Sequence, residues 1–208
     1  MTAVVVIAKE CVPGRVKTRL SPSFTPEQAA KIAAASLADT LETARGVAAD
    51  RHILYFDGDA TTTPHEGFEV IAQTRGTLDE RLGAIFDLID EPLLLIGMDT
   101  PQVKPAQLRW PDRTDVVFGP AADGGFWALG MREPRGDVIR GVAMSQSDTG
   151  ALQLAALERA ALSVEHLVTL LDVDLAADAH SVAADIPASR FARAVSEASP
   201  LHPVGSRS

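Results

Sequence analysis

Val4-Val5-Val6-Ile7-Ala8, followed at once by Lys9-Glu10-Cys11-Val12-Pro13-Gly14-Arg15-Val16-Lys17-Thr18-Arg19-Leu20, decides the fold. The first five residues are apolar without alternation, as in a strand buried on both faces of a parallel sheet. A second such run, Leu93-Leu94-Leu95-Ile96, predicts another central strand and ends at Gly97-Met98-Asp99-Thr100-Pro101. Working outward, Thr25-Pro26-Glu27-Gln28 and Thr77-Leu78-Asp79-Glu80 have the form of capping boxes, each opening a helix. Apolar stripes then recur at helical spacing, Ala33, Leu37, Leu41 and Ala44 in one and Leu78, Leu82, Ile85, Phe86 and Ile89 in the other.

The other strands fall at residues 52–56, 69–72, 115–118 and 167–171, with 126–129 read as an extended continuation of 115–118 after a Gly-rich turn. A helix is expected over 149–162, followed by two short alanine-rich helices. Strands alternating with helices predict an α/β fold: a Rossmann-like, mostly parallel sheet with helices on both faces. One domain is expected over 1–198, with a disordered tail at 199–208. Ligands of such sheets bind beyond the carboxyl ends of the strands, which directs attention to the loops after Ala8, Ile96 and Phe118.

Composition narrows the chemistry. The 208 residues are 46% hydrophobic and 23% charged, ordinary for a globular chain, and the net charge of −9 disfavours nucleic-acid and membrane partners. A lone cysteine, Cys11, excludes an internal disulfide framework and a cysteine-built zinc cluster. No apolar run approaches the roughly 20 residues that span a bilayer, and the N-terminus lacks the form of a signal peptide, so the expected compartment is the cytoplasm.

Against the acidic background, Lys9, Arg15, Lys17 and Arg19 are opposed in their loop by Glu10 alone. Arg15, Lys17 and Arg19 alternate, so an extended loop would point all three one way, toward a small phosphorylated ligand. The alternative is a solvated basic loop. Asp99, at a buried strand's tip, either meets a hard cation such as Mg²⁺ or caps the following turn. Asp123-Gly124-Gly125 is first a tight-turn signal, and could also let a backbone approach an acceptor closely. Asp172-Val173-Asp174 follows the last expected strand and offers a second metal ligand or an ordinary strand end. Arg81 sits in a helix's first turn, facing either a ligand or solvent. The cations around Cys11 would lower its pKa, but no histidine lies near it and it is read as a bystander. Walker, dinucleotide-binding and Gly-x-Ser-x-Gly motifs are absent.

Lys9, Pro13 to Leu20, Gly97-Met98-Asp99-Thr100-Pro101 and Gly119-Pro120-Ala121-Ala122-Asp123-Gly124-Gly125-Phe126 together resemble the signature blocks of small glycosyltransferase-like proteins, some linked to arsenosugar biosynthesis. Arg75 to Leu82 and Asp172-Val173-Asp174 fall in the same order. More distantly, Lys17-Thr18-Arg19-Leu20 and Asp-Val-Asp are similar to 2-phospholactate guanylyltransferase. The resemblance implies the GT-A fold, as in nucleotide-diphospho-sugar transferases, and a nucleotide or nucleotide-sugar donor used with Mg²⁺ or Mn²⁺. It implies donor phosphate or nucleotide contacts from Lys9, Gly14, Arg15, Lys17, Arg19 and Arg81. Asp99 and Asp174 would be metal ligands, Asp99 and Asp123 the catalytic pair, and Asp123, Gly124 and Gly125 the acceptor side. Two departures touch that side: Met144 to Thr149 stands where a Trp-Ser-Thr block is usual, and Phe126-Trp127 where two tyrosines are usual. The expected activity is glycosyl transfer to a small acceptor; nucleotidyl transfer and non-catalytic nucleotide binding are the alternatives.

Overall fold

In the computed structural model, which describes residues 2–111 and 113–198, the opening apolar run becomes β1 (Ala3–Lys9). Val4, Val6 and Ala8 share a core with Ala30, Ala33, Leu37, Leu41 and Ala44 of α1 (Pro26–Arg45). Ala3 and Val5 share another with Leu82, Ile85 and Phe86 of α2 (Leu78–Leu88) and Leu157 of α3 (Thr149–Arg159). Both faces of the strand are therefore covered, and each buried valine contributes about 1.5–3 kcal/mol.

Both capping boxes are made. The Thr25 hydroxyl accepts from Gln28 N at 3.2 Å while Gln28 Oε1 accepts from Thr25 N at 2.8 Å. Glu80 Oε2 likewise accepts from Thr77 N at 2.8 Å. These side chains satisfy first-turn amides that a helix cannot pair internally.

The sheet has seven strands in the order β3-β2-β1-β4-β6-β5-β7. Its other members are β2 (Arg51–Asp57), β3 (Glu69–Ala72), β4 (Leu93–Gly97), β5 (Val116–Pro120), β6 (Phe126–Met131) and β7 (Val164–His166). All pairings are parallel except those of β6, which runs against both β4 and β5. The register places Lys9 beside Asp57 and Ile7 beside Gly97, so β1, β2 and β4 end at one edge of the sheet. This is the expected α/β architecture, a mostly parallel sheet with helices on both faces.

Three sequence expectations change. Residues 126–129 do not prolong β5: the chain reverses at Asp123-Gly124, closed by Ala121 N to Gly125 O at 3.0 Å, and β6 inserts between β4 and β5. The last strand lies at Val164–His166 rather than 167–171, where Leu170 makes a single bridge to Ala121. Leu167 and Leu170 instead pack on the α1-side core as their segment crosses the sheet's carboxyl edge. Finally, α3 stops at Arg159, because Ala161 turns left-handed at φ 56°.

A third core joins Leu20, Phe24, Ala29 and Ile32 to Ala179 and Val182 of α4 (Ala176–Asp185) and Phe191 and Val195 of α5 (Arg190–Glu197). The two short C-terminal helices thus close over the end of the basic loop. The expected tail at 199–208 lies outside the described residues.

Candidate functional site

The loop after β1 is not extended. Gly14 has φ 75° and Lys17 φ 47°, two left-handed turns that break the alternation on which a shared direction would depend. Val16 and Leu20 are buried and anchor the segment, with a 3₁₀ turn over Thr18–Leu20. The three cations consequently separate. Lys17 enters the protein with its side chain 7% exposed, Arg19 stays 70% exposed, and Arg15 lies at the surface with Lys9.

A lysine so buried needs a counter-ion, and Lys17 has two. Its Nζ lies 2.8 Å from Asp99 Oδ1, beyond the end of β4, and 3.1 Å from Asp174 Oδ1. Arg19 reaches the other oxygen, Asp174 Oδ2, at 3.1 Å. Burial alone would pull the Lys17 ammonium down; the charges and hydrogen bonds of Asp99 and Asp174 outweigh it and hold it above the usual lysine range. Asp99 is thus paired with the Lys17 ammonium, a partner that neither sequence alternative, metal ion or turn cap, named.

Asp174 comes to this point because the preceding segment is laced across the strand ends. Ala122 N donates to Leu170 O at 2.8 Å, Gln102 Nε2 to Leu171 O at 2.8 Å, and Val173 N to Asp99 O at 3.1 Å. The same lacing buries Asp172, whose Oδ1 has no hydrogen-bond partner. Burial, then the charges of Asp99 and Asp123, push its carboxyl up to about 7, against a partial offset from Lys17. Asp172 was legible only as half of an Asp-Val-Asp pair, since nothing in that pattern tells which aspartate turns inward.

Asp123 takes the turn role. Its Oδ1 accepts from Gly125 N at 2.9 Å, and the residue is exposed. The close approach that Gly124 and Gly125 allow is used by the chain itself. A Cβ on Gly124, at φ 92°, would collide with the Ser147 carbonyl, and Gly124 O accepts from Gly150 N at 2.8 Å. The start of α3 is thereby fixed against the turn.

Arg81 lies on the other half of the edge, over β2 and β3. Its Nη1 donates to Gln73 Oε1 at 2.8 Å and stands 3.6 Å from Asp57 Oδ2, while its Nε is buried without a partner. Gln73, which sequence reasoning missed, donates to Ala8 O at 2.8 Å and Tyr55 O at 2.9 Å, tying β1 to β2 where they end. A polar residue after an edge strand carries no signal of that role. Cys11 is also corrected: burial and the nearby Asp99 and Glu10 outweigh Lys9 and Lys17 and raise its thiol to about 11.

The structure thus gathers Lys17, Arg19, Asp99 and Asp174, with Asp172 and Asp123 close enough for their charges to matter. Lys9, Gly14 and Arg15 flank this cluster on the loop. Among the described residues, no three His, Cys, Asp or Glu side chains form a ready metal cage. None of the described helices is long and apolar enough to cross a membrane.

Solved structures share this architecture. One from Desulfovibrio desulfuricans G20, provisionally named a nucleotide-diphospho-sugar transferase, superposes with a TM-score of 0.83 at 24% identity, over 94% of each chain. A CMP:2-keto-3-deoxy-manno-octonic acid synthetase complexed with CTP gives 0.56 at 13% identity, over 89% of this chain and 98% of its own. Rv0371c from Mycobacterium tuberculosis H37Rv gives 0.54 at 24% identity, over 87% and 96%. At these identities the likeness establishes the fold. No curated protein matches by sequence. The family described as "Uncharacterized protein conserved in bacteria (DUF2064)" matches residues 34–146, more than half of the chain and the span that holds Arg81, Asp99 and the Asp123 turn, and the chain belongs to that family.

Proposed function

We propose that the protein is a transferase that binds a nucleotide-diphosphate sugar with a divalent cation and passes the sugar to a small acceptor. The observation that carries this reading is the meeting of Lys17 with Asp99 and Asp174 at the carboxyl edge of the sheet, flanked by the exposed Arg15 and Arg19. Cations and carboxylates on one edge suit a diphosphate and its metal, which a basic loop alone would not require.

The residues present fit Mg²⁺ or Mn²⁺. Asp99 and Asp174 reach a common point, and the buried Asp172 nearby has an oxygen, Oδ1, without a hydrogen-bond partner. Mg²⁺ commonly takes one or two carboxylates and completes its shell with phosphate oxygens and water, so a full protein cage is not needed. Bound there, the cation would neutralise a diphosphate leaving group. Arg15, Lys17 and Arg19 would hold the same phosphates, each charge-assisted bond contributing about 1.5–3 kcal/mol. Asp123 and its glycine turn would border the acceptor, fixed by their bond to α3. Lys9 and Arg81 would flank the nucleotide, Arg81 above β2 and β3.

The arsenosugar-linked group indicated by the signature blocks is the finer form of this proposal. Nucleotidyl transfer is the second reading, supported by the fold shared with the CTP-bound synthetase. Thermal shift with nucleoside triphosphates and nucleotide sugars, each with and without Mg²⁺ or Mn²⁺, tests both. A ligand at 100 times its Kd stabilises by about 2.7 kcal/mol. Metal-dependent stabilisation by a nucleotide sugar is expected; preference for a triphosphate, with pyrophosphate released on turnover, would favour the second reading. No shift with any ligand would overturn both.

A further inference from the structure

Building on the donor and metal reading above, we infer that the Lys17 ammonium occupies the divalent cation's own seat and leaves it only when donor phosphates arrive. Metal and donor then bind as a mutually dependent pair. One nitrogen lies 2.8 Å from Asp99 Oδ1 and donates to Asp174 Oδ1 at 3.1 Å, the two carboxylates that would hold the metal. A Mg²⁺–oxygen bond is roughly 2.1 Å. The same carboxylates need close by no more than about 1 Å to grip Mg²⁺, but they cannot grip it while the ammonium stands between them.

The exposure of the three groups gives the direction of exchange. Lys17 is 7% exposed, whereas Asp99 and Asp174 are 40% and 36% exposed, so solvent reaches both carboxylates while the ammonium is screened from it. The segment that carries Lys17 is equipped to shift. Gly14, left-handed with open space where a Cβ would stand, precedes it, and the buried Val16 and Leu20 hold the backbone on either side of the left-handed Lys17. A lysine stem has four rotatable carbons and can redirect its charge without moving this backbone far.

Mg²⁺ alone would have to displace a buried ammonium and leave it unpaired, which is strongly unfavourable. Phosphate entering beside Arg15 and Arg19 offers that ammonium a new anion. Lys17 is in this sense a positioning residue: it couples the two ligands, and by linkage each tightens the other by the same factor.

The test uses Mn²⁺ as probe, read by electron paramagnetic resonance, with and without pyrophosphate, on the wild type, Lys17→Gln, Lys17→Met, Arg135→Gln and Asp99→Asn. Circular dichroism checks that each variant is folded, and the isosteric methionine serves if glutamine disturbs the loop. Both Lys17 variants are expected to bind Mn²⁺ alone at least tenfold more tightly than the wild type. Pyrophosphate should tighten Mn²⁺ binding in the wild type by a similar factor and far less in those variants. Arg135→Gln, which removes an exposed cation paired with Asp137 outside the site, should change Mn²⁺ affinity less than threefold, and Asp99→Asn should weaken it. Equal Mn²⁺ affinity in the wild type and both Lys17 variants would overturn the exchange while leaving the donor reading standing. If the wild type shows no thermal shift with any nucleotide, the donor reading itself falls and the exchange with it.

Discussion

Lys17 Nζ stands 2.8 Å from Asp99 Oδ1, joining the loop after β1 to the loop after β4 across the edge where donor phosphates would lie. Replacing Lys17 and Arg19 together by alanine should weaken nucleotide binding tenfold or more, a loss of about 1.4 kcal/mol. Isothermal titration on the two proteins checks this, and unchanged affinity would remove the loop from phosphate binding.

Asp99→Ala should abolish metal-dependent turnover yet leave a folded protein. Lys17 keeps Asp174, and Asp99 is 40% exposed, so the loss of stability should be on the order of 1 kcal/mol. Turnover with added Mg²⁺ and the melting temperature are the two readouts; normal turnover would exclude Asp99 from the mechanism.

The carboxyl of Asp172, pushed from 3.8 up to about 7, makes the protein sensitive to pH in a definite direction. Between those values the folded state holds a proton that the unfolded state has released, so this group's contribution makes stability fall as pH rises from about 4 to 7. The penalty is complete above about pH 7 and absent below about pH 4. Asp172→Asn should therefore raise the melting temperature at pH 8 and have little effect at pH 4. Equal effects at both would show that Asp172 does not titrate across this window.

Gly124→Ala should be harmful well beyond the loss of a turn preference. It meets a φ of 92° and the Ser147 carbonyl together. Strain of this kind costs on the order of 1–3 kcal/mol, or roughly 2–12 °C for a domain of this size. Because α3 is bound to the same turn, KM for the acceptor should rise more than KM for the donor. A variant with wild-type melting and wild-type acceptor KM would disconnect the turn from both roles.

The sequence revealed what local chemistry determines. An apolar run without alternation announced β1, because both its faces are covered, and Thr25 with Gln28 announced α1, because the capping bonds span three residues. Position along the chain also exposed Asp99, since a charge at the tip of a buried strand must find a partner. The direction of β6 stayed hidden because it depends on pairing with β4, some thirty residues earlier, while the turn itself permitted more than one continuation. The burial of Lys17 was hidden as well. Alternation along 15–19 suggested three equivalent cations, but a left-handed backbone at Lys17 sent one inward toward Asp174, 157 residues away, and left the other two outside. Gln73 had no local mark, since its work is to join strands that are neighbours only in the folded sheet.

The closure of α4 and α5 over Leu20 and Phe24 has a consequence for how the molecule is made. Lys17 leaves the ribosome 157 residues before Asp174, and before the helices that cover the loop's far end. A nascent chain that has made only β1, α1 and β2 still lacks this site, so binding competence waits for Asp174, α4 and α5. A chain cut before α4 would carry the basic loop with neither its second carboxylate nor its roof.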